Sequence, residues 1–290
     1  MSETISTREK TGLGLASPAF IYTFCLFAIP AILLFIYSFY RSKSFVPIPD
    51  FIVDNYWRAL SSYGFWKVMG LSLQIGLVTA TLSVAASFPV AWYIVYRSRG
   101  STLLYLIVGS WITSYLVRIY GWRMILGANG FVNSTLKYAG LITQPLEYIL
   151  YNPFSVIIAL VHIYMPLTLL MLVSALRDVK VDYLDAARDL GAGSATTLLK
   201  VTIPMIYRGL VSAFMFTLIL AAGDYVAPQV LGGTNSMTVG LLISNQFRQT
   251  GNWPFGAAMA FITFVVFAGI YLAFVLLLRL LGLAPNRRYH

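Results

Sequence analysis

Four of the chain's ten carboxylates, Asp178, Asp182, Asp185 and Asp189, crowd in and just before the stretch DYLDAARDLGAGSATTLLKVTIP, residues 182–204. Spaced by four, three and four, they would line one face of a helix extended back by a turn, opposite an apolar face of Tyr183, Ala187 and Leu190. Local chemistry divides the stretch into two short helices. Asp182 is placed to cap the first, Asp185 to complement its positive N-terminal end, and Gly191 to close it in a left-handed conformation. Ser194 is placed to cap the second, and Pro204 marks entry into the next apolar run. A charged face, an apolar face and the small residues Ala186 and Ala187 together fit a helix that docks a protein partner at close range. Lying flat on lipid suits it less, because the acidic side would meet an anionic leaflet that attracts basic segments.

A second chemistry is possible in LAAGDYVAP, where Asp224 closes a long apolar run. A charge within a membrane costs about 2.5 to 3.5 kcal/mol on insertion scales, so one kept there usually serves function. Two readings of Asp224 stand side by side: an acceptor for a cationic solute, or a helix-end residue paired with Arg118. Tyr225 and Trp122 offer ring faces to an ammonium group, worth roughly 0.5 to 2 kcal/mol, or simple packing. Arg118 and Arg123 would repel a polycation, which assigns them to ion pairs, to snorkelling or to an outer gate. His162, in LVHIYMP, reads as a packed or pore-lining polar residue. Thr79, Ser83 and Ser87 repeat small side chains along a helix, the pattern of close helix packing. Cys25 has no second Cys or His near it in sequence, so it reads as a small apolar residue rather than as a metal ligand.

The elements that must carry these residues follow from composition. Hydrophobic residues are 59% of the 290, charged residues 10%, and mean hydropathy is +0.77, whereas soluble domains carry roughly 25% charge. Six apolar runs approach or exceed the ~20 residues that a helix needs to cross a bilayer: Leu15 to Phe39, Val68 to Tyr96, Leu103 to Leu126, Val156 to Leu176, Ile203 to Ala222 and Phe255 to Leu281. Their continuity excludes barrel strands, which alternate over segments of about ten residues. The first run, preceded by Arg8 and Lys10, outlasts the ~7 to 15 residues of a signal-peptide core and reads as a membrane anchor.

The net charge of +10 is topological rather than a nucleic-acid footprint. Arg8 and Lys10, the RSRG loop with Arg97 and Arg99, the Arg177 to Lys200 loop, Arg279, and the RRYH tail with Arg287 and Arg288 fall on one side of six spans. The opposite loops dilute Arg41, Lys43, Arg58, Lys67, Lys137 and Arg248 with Asp50, Asp54 and Glu147. The positive-inside rule then places both termini and the 177–203 loop in the cytoplasm. Trp57, Trp66, Trp111 and Trp253 fall near expected span ends, where amphipathic rings favour the interface.

The segment DAARDLGAGSATTLLKVTIP resembles the EAA signature of permease subunits of ATP-binding-cassette importers: EAA, three residues, Gly, nine residues, then I-x-L-P. Asp185, Ala186 and Ala187 match the triplet, Gly191 the glycine, and Val201, Ile203 and Pro204 the terminal motif. Asp for Glu, Val for Ile and Ile for Leu are the departures, and the shorter reach of Asp bears on coupling strength. SYLVRIYGW (114–122), NGFVN (129–133), GDYVAPQVLGG (223–233) and NWPFGAAMA (252–260) resemble spermidine and putrescine importers; opine and amino-acid importers share much of this pattern.

The resemblance implies an all-α membrane protein of about six transmembrane helices, with the permease fold of type I importers and a cytoplasmic coupling helix. It implies a terminal segment 1–14, a permease domain 15–281 with its coupling loop at 177–203, and a tail 282–290, in a bacterial inner membrane. Asp182, Asp185, Ala186, Ala187, Gly191 and Pro204 would receive a cytoplasmic ATPase dimer. A second homologous permease would complete the pathway, an extracytoplasmic solute-binding protein would deliver the solute, and lipid would surround the spans. The chain lacks G-x-x-x-x-G-K-[ST], the loop that cradles ATP phosphates. It is therefore expected to bind no cofactor, ATP being used by the partner. A secondary transporter would need internal repeats and coupling-ion carboxylates within its spans, and a membrane enzyme a catalytic cluster; neither is evident in the sequence.

Overall fold

The computed structural model describes residues 2–43, 45–98 and 100–280; Arg99 and the segment 282–290, with Arg287 and Arg288, lie outside them. Helices dominate because lipid offers backbone groups no hydrogen bonds, so each spanning segment must bond within itself. Five helical segments are long and apolar enough to cross a membrane: Ser17–Tyr37 within α1 (Ser2–Tyr37), α3 (Tyr63–Tyr96), α7 (Pro153–Arg177), the run Ser194–Gly223 and α13 (Trp253–Leu280). The bent pair Thr102–Trp111 and Tyr115–Tyr138 makes a sixth if it is one span.

The third span departs from expectation. Instead of one helix from Leu103 to Leu126, α4 (Thr102–Trp111) stops and the segment Tyr115–Tyr138, made of α5 (Tyr115–Leu126) and α6 (Phe131–Tyr138), sets off at 88° to it. Gly109 is a weak helix former, and the hydroxyls of Ser110, Thr113 and Ser114 compete for backbone groups. Ser110 Oγ donates to the Ile107 carbonyl at 2.6 Å, and Ser114 is extended, with ψ 133°.

The chain forms two compact units. In Met1–Ser62 with Asn245–Ile262, α1 is followed by a ribbon of β1 (Arg41–Lys43) and β2 (Val46–Ile48), antiparallel with Arg41 opposite Ile48, and then by α2 (Asp54–Leu60). This ribbon is the one feature outside the all-α expectation among the described residues. Buried Asn55 fastens α2 to the end of α1 by donating to the Ser38 and Tyr40 carbonyls at 2.9 and 2.8 Å. Phe35 meets Phe261 and Phe39 meets Tyr56 at 5.0 and 5.3 Å between ring centres, and the Arg58 guanidinium lies 4.5 Å over the Phe255 ring.

The second unit, Tyr63–Ser244 with the C-terminal residues from Thr263, is organised by α3, α7 and α10 (Ile203–Gly223). Small residues let these helices approach. A side chain on Gly76 of α3 would come within 2.8 Å of Ala222, and one on Gly209 of α10 within 2.3 Å of Ala175 on α7. Thr79, Ser83 and Ser87 are fully buried, as expected of a packing stripe, and Ser87 donates across to the Met165 carbonyl at 3.2 Å. Thr168 and Thr217 share a hydrogen bond of 2.8 Å between α7 and α10. The start of α7 is fixed by a capping box, with Asn152 accepting from Phe154 and Ser155 and Pro153 in the first turn. The remaining helices are α8 (Val181–Asp189), α9 (Ser194–Thr197), α11 (Val226–Leu231) and α12 (Val239–Arg248).

Candidate functional sites

In the loop after α7, helix α8 begins at Val181, with Lys180 as the N-cap residue and no side-chain cap. Asp182 is therefore in the first turn, where it complements the helix dipole, and is not the cap. Asp178 caps the C-terminal end of α7, so three acids rather than four share α8. Asp185 sits mid-helix and pairs with Arg188 at 2.8 Å, both side chains being more than half exposed.

The buried face of α8 also differs from expectation. Leu184 is its one buried residue, packed in a cluster with Leu176, Val179 and Ile206, while Tyr183 and Leu190 are 50% and 89% exposed. The helix is thus anchored by one leucine and displays apolar and acidic side chains outward. Its end matches expectation: Gly191 has φ +81°, its N–H bonds the Arg188 carbonyl at 2.8 Å, and the Ala192 N–H bonds that of Ala187 at 3.0 Å. Those two bonds complete a Schellman closure.

Helix α9 is not capped by Ser194; Gly193 precedes it in an extended conformation and Ser194 is its first residue. Nor is α9 a separate helix. It passes through a π-helical stretch, Leu198–Thr202, into α10, making one helical run Ser194–Gly223. Pro204, in the first turn of α10, explains the wide turn: it has no N–H to donate, and its ring would clash with the carbonyl four residues earlier in a regular α-helix. Thr202 Oγ1 reaches the Thr197 carbonyl, five residues back, at 3.4 Å.

At the other end of this run stands Asp224. One of its carboxylate oxygens, Oδ2, accepts from the Tyr115 hydroxyl at the start of α5 and from the Tyr164 hydroxyl of α7 at 3.3 Å. The other, Oδ1, accepts from the Ala227 N–H of α11 at 2.8 Å. Thr238 Oγ1 donates to the Asp224 backbone carbonyl at 2.9 Å, and Ser72 of α3 accepts from the Val239 N–H at 2.7 Å. Beside this junction opens a cleft of about 590 Å³ lined by Trp66, Lys67, Gln74, Asn235 and Met237 among others.

The expected pair of Asp224 with Arg118 is not formed. Among the described residues the ion pairs are Arg41–Asp50 and Arg188–Asp185. Half-buried Arg118 instead donates to the Ile163 carbonyl at 3.4 Å, and its buried Nε has no partner. Trp122 donates to His162 Nδ1 at 3.2 Å with ring centres 5.9 Å apart, so its indole is packed on α7. Tyr225 is 41% exposed, and Arg123 is exposed. Sequence reasoning missed Tyr115 and Tyr164, although both lie in segments it had singled out, SYLVRIYGW and LVHIYMP.

A helical membrane bundle with an outward-facing helix between two spans, and a polar node where a span ends, has the architecture of a transport permease. The chain belongs to the family of binding-protein-dependent transport system inner membrane components, which it matches over residues 15–284; it is the membrane permease of an ATP-binding-cassette importer. It is 32% identical over 225 residues to the spermidine/putrescine transport system permease protein PotB of Escherichia coli, covering 77% of this chain and 80% of that protein. The PotB of Haemophilus influenzae is 29% identical over 248 residues, covering 83% and 86%. In structure, the chain resembles a subunit of a bacterial alginate ABC transporter in complex with an alginate pentasaccharide-bound periplasmic protein, with TM-score 0.72 and 15% identity over 92% of this chain and 93% of that one. That likeness is one of fold.

Proposed function

We propose that this permease carries a polyamine-type solute, bearing ammonium groups, across a bacterial inner membrane with both termini in the cytoplasm. The names of the relatives support the solute class, and the observation that carries it to particular atoms is Asp224: a carboxylate at the end of a spanning helix, held by two phenols and a backbone N–H, with no cation paired to it among the described residues. Such a group replaces part of the hydration that an ammonium loses on entering the membrane. Tyr225 and Trp122 flank the pathway, and Arg118 sets its far electrostatic limit. ATP is hydrolysed by a separate ATPase dimer that receives Asp182, Asp185, Ala186, Ala187, Gly191 and Pro204. A second permease completes the pathway, and a solute-binding protein docks on the opposite face. The chain itself binds no cofactor, and its permease domain, 15–281, includes the coupling loop 177–203.

Asp224→Asn tests this reading, because an amide keeps the shape, its oxygen accepting from the Ala227 N–H and its NH2 donating to the Tyr115 phenol oxygen, while the charge is gone. Coulomb attraction at ~4 Å is about 1 kcal/mol in water and about 4 at an effective dielectric near 20. Putrescine uptake should therefore fall several-fold to several-hundred-fold, with expression and melting temperature maintained. Wild-type uptake by the stable variant would remove Asp224 from the solute path.

A further inference from the structure

Two mechanical paths meet at Asp224. One is the helical run Ser194–Gly223, whose other end adjoins the acidic loop helix. The second is α5, whose first residue, Tyr115, follows directly on the break in the third span. Around that break the backbone ladder is reduced to bonds between residues three apart, Ile112 to Gly109 at 3.3 Å and Thr113 to Ser110 at 3.4 Å. The first turn of α5 is therefore weakly tied to α4; the Tyr115 ring packs on the apolar cluster that includes Ile75 and Ala221, and its hydroxyl on Asp224 is the polar link to the end of α10. Farther along, α5 is secured by buried Ile119 and by the Trp122–His162 bond.

The acceptor count at Asp224 is nearly full. An ionised carboxylate offers about four lone-pair positions, and an ammonium brings three donors. Tyr115 and Tyr164 occupy Oδ2, and the Ala227 N–H, with the neighbouring Val226 N–H, faces the carboxylate from α11. An ammonium that engages the carboxylate must therefore take a position from one of these donors, and the hydroxyls, unlike the backbone N–H groups, can be displaced by turning a side chain. Tyr164 comes from the interior of α7, a helix packed on both α3 and α10, and its loss would free nothing large. Tyr115 sits on the weak joint.

We propose that the Tyr115–Asp224 hydrogen bond is a solute-operated latch: an ammonium group competing for Oδ2 releases Tyr115, frees the first turn of α5 to turn about residues 112–114, and so alters the restraint on the helix that leads to the coupling segment. Solute arrival and ATP hydrolysis are thereby linked through this chain's own residues. The latch rests on the reading of Asp224 as the ammonium acceptor, and its test separates the two.

The complete importer, with its ATPase, second permease and binding protein, is reconstituted in proteoliposomes, and ATP hydrolysis is measured with and without putrescine. Tyr115→Phe removes the hydroxyl and leaves the latch open. Hydrolysis without putrescine should rise roughly ten- to a hundredfold, the order expected for losing a hydrogen bond to a charged group, and putrescine should add little. Asp224→Asn keeps a hydrogen-bond partner for Tyr115, the amide NH2 donating to the phenol oxygen, but has no charge to draw the ammonium; stimulation by putrescine should be lost without that rise. A merely structural role would move both variants in the same direction. Hydrogen exchange over residues 112–119 in the wild-type complex gives a reading that needs no variant: putrescine should speed it. Unchanged exchange, or a wild-type ratio of stimulated to unstimulated hydrolysis in Tyr115→Phe, overturns the latch. Wild-type uptake by Asp224→Asn instead overturns the reading beneath it.

Discussion

Gly191 and Asp185 separate two kinds of effect within one short helix. A side chain at Gly191 would meet open space, but its φ of +81° is one that L residues rarely adopt. Gly191→Ala should therefore cost about 1 to 2 kcal/mol of backbone strain, seen as a lower melting temperature in detergent. Asp185 and its partner Arg188 are 56% and 59% exposed, and an exposed ion pair is worth at most about 1 kcal/mol. Asp185→Lys should leave the melting temperature almost unchanged while reversing the charge offered to the ATPase, and putrescine-stimulated hydrolysis should fall at least tenfold. Wild-type coupling in that variant would take Asp185 out of the contact. Gly191 was legible in sequence because a helix end followed by glycine has a narrow conformational choice. The capping role expected of Asp182 failed because α8 starts at Val181, a shift too small for the local pattern to resolve. Tyr115 and Tyr164 were illegible for another reason: their partner lies 109 and 60 residues away, and nothing local marks a phenol whose acceptor is on a different helix.

Crossing points decide how the helices hold. Gly209→Leu would press a branched side chain into Ala175 from an approach of 2.3 Å, and Gly76→Val would strike Ala222 and the Leu218 carbonyl at 2.8 Å. Overpacking of this kind costs about 1 to 3 kcal/mol or more. Both variants should melt earlier than wild type in detergent, whereas Gly70→Ala, with nothing within 4 Å of the added carbon, should not. Equal melting of all three would show that α3, α7 and α10 are not held at these points. The spans themselves were readable because hydrocarbon imposes a length and a composition on any helix within it. The break in the third span was not, because it falls inside one long apolar run and the turn is set by weak helix formers and by packing at its far side. The continuity of α9 with α10 was hidden behind Pro204, which reads as a helix start in sequence and here sits just beyond a widened turn.

At the scale of the molecule, charge placement predicts the orientation, with both termini in the cytoplasm. A reporter that is active only in the cytoplasm should work when fused after His290, and activity from a periplasm-only reporter there would reverse the topology. Composition revealed the medium and the EAA-like segment revealed the class, because both depend on residues close together in sequence. The membrane node depends on several helices, α5, α7, α10 and α11 among them, and only folding brings them together. One structural feature also limits how such a chain can change in evolution. The run Ser194–Gly223 joins the coupling end to Asp224 without a flexible link, so it behaves as a ruler with a fixed phase. Each residue of an α-helix contributes about 1.5 Å and a 3.6th part of a turn. A single insertion anywhere within α10 would swing the carboxylate roughly 100° away from Tyr115, although composition, hydropathy and motif would all remain intact. The π-helical stretch Leu198–Thr202 is the one place on the ruler that already holds an altered turn, and gains or losses of single residues among relatives of this chain should therefore collect there rather than between Pro204 and Gly223.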